Sequence, residues 1–348
     1  MNGTNGYYLS SSPHFSKGLT TQKIMAAVLI ALLPEVVAGI VFFGFRVLLS
    51  VAVSVASCIA FEAFFQKVTG QKITVANLSA CVSGVLLALV CPPALPLWML
   101  IIGAAVAVVV AKGLFGGIGS NVFNPALTGR AVLFISFPAA MGASWLNPSA
   151  GDAIDAVSSA TALSYIKAGT FEAGPGIYLR YFIGNRAGCA GETSILLILI
   201  SFIFLLLIHV IDWRAPVAMV ATVIAGTFLA SLGDGFYAAC SNALLSVLTG
   251  GVMFGAVFMV TDYATAPVTK PGRLAFGFGC GLITFLIRQF GGYPEGVMFS
   301  ILIMNSVAPF LNNLTSRIYG HGKKGNRRAD TGKIVQEFDL TSASPAEK

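Results

Sequence analysis

The segment Asp155-Ala156-Val157-Ser158-Ser159-Ala160-Thr161 places three hydroxyls within four positions, among mostly small side chains. Such residues build turns and helix N-caps, and Ser158 or Thr161 can cap a short helix over 162–167. A second set of chemically capable residues is charged and lies inside apolar runs. Glu35 follows Pro34, and Glu62 precedes Gln66 by four residues and Lys67 by five. Intramembrane acids serve as cation or proton relays, or as structural hydrogen-bond partners. Glu35 fits either a relay or a kink-side hydrogen bond, and Glu62 either a relay or an interfacial pair. Arg130 lies six residues after Asn124. It either snorkels to a membrane boundary or contacts a cofactor or a polar cavity. Asp262 stands at a helix end, where it can cap a turn or bind an ion. His209 is a lone histidine beside Asp212 and Arg214 and reads as a boundary hydrogen-bonding group.

The elements that position these residues are membrane helices. Apolar residues make up 56% of the 348-residue chain and charged residues only 10%, against about 25% charged in a soluble domain. That excludes a soluble globular enzyme, and the hydrophobicity also excludes general disorder and an outer-membrane barrel. The net charge of +7 comes from the ends of apolar runs and from the tail, so nucleic acid is not a partner and membrane lipid is. The six cysteines show no CxxC or Cys/His spacing and read as small buried side chains.

About 20 apolar residues cross a bilayer core. Ten segments qualify, at 22–43, 46–66, 74–91, 95–113, 125–141, 194–211, 215–232, 240–260, 272–290 and 294–313. The fold class expected is therefore an all-α polytopic membrane protein. Lys17, Lys23, Lys67, Lys72, Lys112, Lys270, Arg273 and the basic run after Arg317 then share one side. By the positive-inside rule that side is cytoplasmic, with both termini on it. The 142–193 loop, including Thr161, faces outward.

The two halves carry related punctuation. Ser83-Gly84 and Cys91-Pro92-Pro93 in the third segment parallel Gly250-Gly251 and Thr265-Ala266-Pro267 in the eighth. Gly116-Gly117 before Asn124-Pro125 parallels Gly291-Gly292 before Asn305 and Pro309. A five-span unit repeated in tandem must be inverted in the membrane, and inverted repeats with interrupted helices mark transporters. The expected organisation is an N-terminal segment 1–21, a five-helix repeat 22–141, the outer loop 142–193, a second repeat 194–313 and a basic tail 314–348.

The pattern D-x-x-[ST]-[GSA]-A-T over Asp155–Thr161 resembles the acceptor of ApbE-type flavin transferases, which move FMN from FAD onto the final threonine. Ser12-Pro13-His14, Asn121-Val122-Phe123-Asn124-Pro125-Ala126 and the run from Phe258 to Pro267 add to it. Together they resemble, over about residues 10–315, the family of the B subunit of the Na⁺-pumping NADH:quinone oxidoreductase and the D subunit of the Rnf complex. The short stretch before the first helix favours the Rnf side. Ser159 stands where the family often has Gly, and Ala162 where it often has Pro; neither removes the Thr161 hydroxyl.

The resemblance implies covalent FMN on Thr161, within the motif formed with Asp155, Ser158, Ser159 and Ala160. Similar subunits can also hold a second, non-covalent flavin, riboflavin; Asn124 and Arg130 are further cofactor-binding candidates, with no pocket for riboflavin assigned. Glu35 and Asp262 are the ion-pathway candidates. The activity implied is that of one subunit of a ferredoxin:NAD⁺ oxidoreductase that moves Na⁺ or H⁺ across a prokaryotic inner membrane. Partners would be the A, B, C, E and G subunits and a flavin transferase. NADH binds elsewhere, since Gly116-Gly117-Ile118-Gly119 ends a membrane helix and is no dinucleotide turn. The competing readings are the B-type quinone-oxidoreductase subunit, a urea-channel-like transporter without redox chemistry, and an unmodified scaffold.

Overall fold

The computed structural model describes residues 20–143, 145, 163, 166, 176–293 and 295–315. The 155–161 segment lies outside them. The described residues are all helix, turn and loop, without a strand.

Helix α1 (Thr21–Phe43) starts where the Thr20 hydroxyl accepts from the Lys23 amide and ends at Gly44. Its exposed stripe of Ile30, Leu33, Val37 and Val41 faces away from the protein. Leu32, Glu35, Ala38 and Gly39 face inward. Helix α2 (Arg46–Val68) follows after a two-residue turn. Both are long and apolar enough to cross a membrane, as is the last helix, α13 (Val297–Thr315).

The interior is built from shorter pieces. Helix α3 (Ser79–Val90) has 12 residues and almost no exposed one. At about 1.5 Å per residue it covers roughly 18 Å, short of the ~30 Å core. It is apolar all round because protein surrounds it on every side. Helix α4 (Leu97–Gly113) changes to π geometry from Val106 onward. Helix α5 (Pro125–Ser136) is capped by Asn124 and has Pro in its first turn. It breaks at Phe137, as a residue before proline disfavours helix, and α6 (Pro138–Ala143) continues. Helix α7 (Ile177–Ile183) leads to a 3₁₀ turn, Ala190–Glu192, and to α8 (Ile195–Leu207).

Helices α9 (Arg214–Ala230) and α12 (Lys270–Phe290) pack closely, because Gly277 and Gly281 bring the backbones together. A Cβ at those positions would meet the Ala215 and Met219 carbonyl oxygens at 2.2 and 2.6 Å. Small residues provide this contact between membrane helices, where hydrophobic burial drives nothing. Between them in sequence, α10 (Phe236–Leu248) and α11 (Val252–Met259) are together long and apolar enough for one span and are bent by 59° at the break between them. Every residue of α11 is buried.

The chain is thus a multi-pass membrane protein with a helical core. Three expected segments differ in detail. The 74–91 segment is helical only from Ser79, after a 3₁₀ turn. The 125–141 segment is broken before Pro138, and the 240–260 segment at Gly250-Gly251. In the last two, proline or glycine interrupts an apolar run that hydropathy alone reads as continuous; in the first, Leu78 at φ +65° separates the 3₁₀ turn from the helix. Lys112, expected to flank the fourth span, is instead buried within it, because Glu62 draws it inward.

Candidate functional site

The break between α10 and α11 is an electrostatic centre. A helix C-terminus presents unsatisfied carbonyls and partial negative charge, and an N-terminus the reverse. Two arginines meet the C-terminal end of α10. Arg186 donates to the Leu248 carbonyl, to the Glu192 carbonyl and, at 3.3 Å, to that of Gly250. Arg288 donates to the Ser246 and Thr249 carbonyls at 2.6 and 3.4 Å. A carboxylate meets the N-terminal end of α11: Glu295 Oε2 accepts from the Gly251 amide at 2.9 Å. Its other oxygen accepts from Gly296 and Val297, so it also opens α13. Arg288 and Glu295 close the arrangement as an ion pair at 3.1 Å.

Gly250 permits this geometry. Its φ is +68°, and a Cβ there would lie 2.1 Å from Glu295 Oε2. Glu192 lies against Gly251, within 2.5 Å of where that residue's Cβ would stand. Burial raises the Glu192 carboxyl above its ordinary range, with the Arg130 charge opposing the shift.

Beside this break is a cavity of about 470 Å³, within the 300–1,000 Å³ of ordinary ligand pockets. Arg130, Arg186, Glu192 and Glu295 give it charge, and Phe134, Trp145, Tyr293 and Phe299 give it aromatic walls. Phe134 meets Tyr293 and Phe299 edge-on, with ring centroids 5.3 and 6.0 Å apart. Leu163 also lines the cavity. Arg130 is therefore no snorkelling boundary residue: it is 9% exposed. Glu192 lies 3.8 Å from it.

A second, smaller cavity of about 100 Å³ lies at the other end of α5. Asn124, Asn121, Ser79, Lys112 and Asp262 line it. Asn124 is buried because it caps α5, its Oδ1 accepting from Leu127 at 3.2 Å. Asn121 Oδ1 is buried without a partner among the described residues. The Lys112 ammonium donates to both Glu62 oxygens at 2.8 Å and to Ser79 Oγ at 2.6 Å. Lys112 sits in the π segment of α4, and π geometry often marks functional positions. Glu62, expected beside Lys67, thus pairs across the fold instead.

The remaining candidates separate. Asp262 accepts from the Ala264 amide and Thr265 Oγ1, at 3.2 and 3.1 Å, and so caps its turn at the edge of the small cavity. Glu35 is buried between α1 and α8, where Ser201 Oγ reaches its oxygens at 3.0 and 3.4 Å. The structure does not bring Glu35 to either cavity. His209 takes φ +57° and its Nδ1 meets the Leu207 carbonyl. Asp212 joins Arg214 and Arg273 at 2.8 and 2.9 Å. Burial alone would raise its carboxyl, but the Arg214 amide and the two guanidiniums outweigh it and hold it below the ordinary range. Asp155, Ser158, Ser159, Ala160 and Thr161 lie outside the described residues.

Sequence reasoning missed the Arg186–Glu192–Arg288–Glu295 group. Its one signal is the Gly250-Gly251 pair within an apolar run, which announces a break whose ends need charge.

The chain is matched over residues 8–320 by the model of the NQR2, RnfD, RnfE family. It is 41% identical to the D subunit of the Na⁺-translocating ferredoxin:NAD⁺ oxidoreductase complex of Acetobacterium woodii, over 90% of this chain and 95% of that protein. It is 38% identical to the D subunit of the proton-translocating ferredoxin:NAD⁺ oxidoreductase complex of Clostridium ljungdahlii, over 93% and 98%. Identity to the D subunit of the ion-translocating oxidoreductase complex of Escherichia fergusonii is 35%, over 91% and 99%. A family model covering nine-tenths of the chain, together with these relatives, leads to one assignment: the chain belongs to the NQR2, RnfD, RnfE family.

Proposed function

We propose that this chain is the D-type membrane subunit of an Rnf-type, redox-driven cation pump, with FMN held on Thr161 by a phosphoester bond. The observation that carries the flavin reading is Leu163 on the wall of the large cavity. Two residues of chain reach at most about 7 Å, so a group held on Thr161 would have this cavity within its reach. Aromatic walls suit a flat heteroaromatic ring, and the cavity volume suits a group of flavin size.

In the attachment, the Thr161 hydroxyl oxygen bonds to the flavin-side phosphorus of FAD. The pyrophosphate bond breaks, AMP leaves and the hydroxyl proton is released. When bound, the flavin supplies the electron-transfer chemistry, and the protein supplies placement and electrostatics. Phe134, Tyr293 and Phe299 would wall the ring off from water. For the second flavin, riboflavin, the unpartnered Asn121 Oδ1 offers an acceptor to a ring N–H at the small cavity, which must widen to admit it.

The wider architecture follows the same reading. Ten spans would form two inverted five-helix repeats. In support, the second helix of each half packs on its third and fourth: α2 on α3 and α4, α9 on α10 and α12. Likewise the fourth packs on the fifth in both: α4 on α5, α12 on α13. Both termini would be cytoplasmic, with Thr161 on the outer face of a prokaryotic inner membrane, within reach of a flavin transferase. Partners would be the A, B, C, E and G subunits. The related proteins named above belong to complexes moving Na⁺ in one case and protons in another, so membership alone does not select the ion.

The test is an intact-mass spectrum and denaturing-gel flavin fluorescence of wild type and Thr161→Ala, each expressed with a flavin transferase. An FMN adduct that vanishes in the variant supports the assignment. An unmodified wild type rejects it and favours a channel-like transporter that needs no electron donor.

A further inference from the structure

Two arginines line the large cavity, and they differ in how the protein occupies them. Arg186 is committed to three backbone carbonyls. Arg130 is not committed. A guanidinium carries five N–H donors. Among the described residues, the Nε of Arg130 has no acceptor at all. One terminal nitrogen has only the Cys189 sulfur at 3.9 Å, and the other faces Glu192 at 3.8 Å, beyond hydrogen-bond range. A buried guanidinium with no oxygen in hydrogen-bond range among the described residues is costly, and buried polar groups are ordinarily satisfied. Nothing in the packing of α5 requires it: the Gly129 and Leu133 faces already seat this helix against α4. Arg130 lines a cavity that also presents four aromatic side chains, Phe134, Trp145, Tyr293 and Phe299.

We propose that Arg130 binds the acceptor edge of the flavin ring, the carbonyl oxygens and ring nitrogen that gain electron density on reduction, and so raises the flavin's reduction potential. This rests on the reading that the Thr161 flavin occupies the large cavity. The planar fork suits two neighbouring acceptors on a flat ring, a geometry that a lysine ammonium matches only as a point charge. The phosphoester offers the same oxygen chemistry from a second source. A guanidinium held on the phosphate would steady the linkage without favouring either redox state of the ring. A guanidinium on the ring edge must favour the reduced form. Glu192 then acts as a positioning residue that partly cancels the Arg130 charge.

The experiment is a spectroelectrochemical titration of the covalent flavin in purified wild type, Arg130→Met, Arg130→Lys and Glu192→Gln, with mass spectrometry confirming attachment in each. Arg130→Met should weaken the preference for reduced over oxidised flavin at least tenfold, a fall of about 30 mV for a two-electron couple. Arg130→Lys should fall less, and Glu192→Gln should shift the potential upward. Attached flavin with an unmoved potential in Arg130→Met overturns the proposal and places the guanidinium on the phosphate or on neither. Where Arg130→Met does not fold, Arg130→Lys and Glu192→Gln decide: shifts of opposite sign support the proposal and unmoved potentials overturn it. A wild type without covalent flavin removes the underlying reading as well, which separates the two failures.

Discussion

Arg186 should be indispensable to the broken span. Replacing it with Met keeps much of its volume and removes its donors. Three carbonyls, those of Leu248, Glu192 and Gly250, then lose the donor that Arg186 provides. Leaving a buried acceptor unsatisfied costs about 1–3 kcal/mol. Counting the two closer carbonyls fully and the third only in part gives a loss of about 3–6 kcal/mol, including the favourable cation at a helix C-terminus. That is a large fraction of a typical stability of about 5–15 kcal/mol. Arg186→Lys keeps the charge but not the fork, and should recover part of the loss. The assay is thermal unfolding of the purified protein in detergent, with hydrogen exchange read at the end of α10. At about 1.4 kcal/mol per factor of ten, exchange at residues 245–249 should speed up about a hundredfold or more in Arg186→Met. A variant within about 1 kcal/mol of wild type, with unchanged exchange there, would refute the idea that opposed charges hold the break.

Further consequences can be checked on the same material. Lys112→Met leaves the buried Glu62 carboxylate without its cation and should cost about 3–5 kcal/mol, whereas Glu62→Gln with Lys112→Met should recover more than half of that; additive costs in a double-mutant cycle would contradict the pair. Gly250→Ala should destabilise more than Gly70→Ala, since both have φ +68° but only Gly250 has Glu295 and Arg288 in the way; the shared left-handed penalty is about 1–2 kcal/mol, and equal losses would show that the crowding is relieved at no cost. Asp212 is held below its ordinary value of 3.8. Its contribution is therefore present above that value and lost as pH falls through the lower folded-state value. Asp212→Asn should flatten the acid limb of a melting-temperature profile; an unchanged limb would assign that stability elsewhere.

The long helices were legible because single interruptions such as Pro34 in α1 and Pro309 in α13 do not end their apolar runs: α1, α2, α9 and α13 stand close to where hydropathy places them. The half-length interior pieces were less so. A run such as 74–91 is apolar whether it spans the bilayer or ends within the protein, and only packing decides that Ser79 opens the helix. The charged centres were hardest to read. Glu62 and Lys112 are 50 residues apart and Arg186 and Leu248 are 62 apart, so local spacing carries no sign of either contact. Arg130 stands out as a charge in an apolar run, but its neighbour Glu192 comes from a distant loop that local spacing does not announce. Thr161 is legible only through a family motif, and it lies outside the described residues.

The central claim is that electron flow through the Thr161 flavin drives ion movement. The direct test assembles the complete complex with wild-type or Thr161→Ala chain in sealed vesicles, adds reduced ferredoxin and NAD⁺, and follows NADH formation together with the ion gradient. The account predicts that the variant complex assembles but loses both signals together. A Thr161→Ala complex that builds the gradient at the wild-type rate would contradict it.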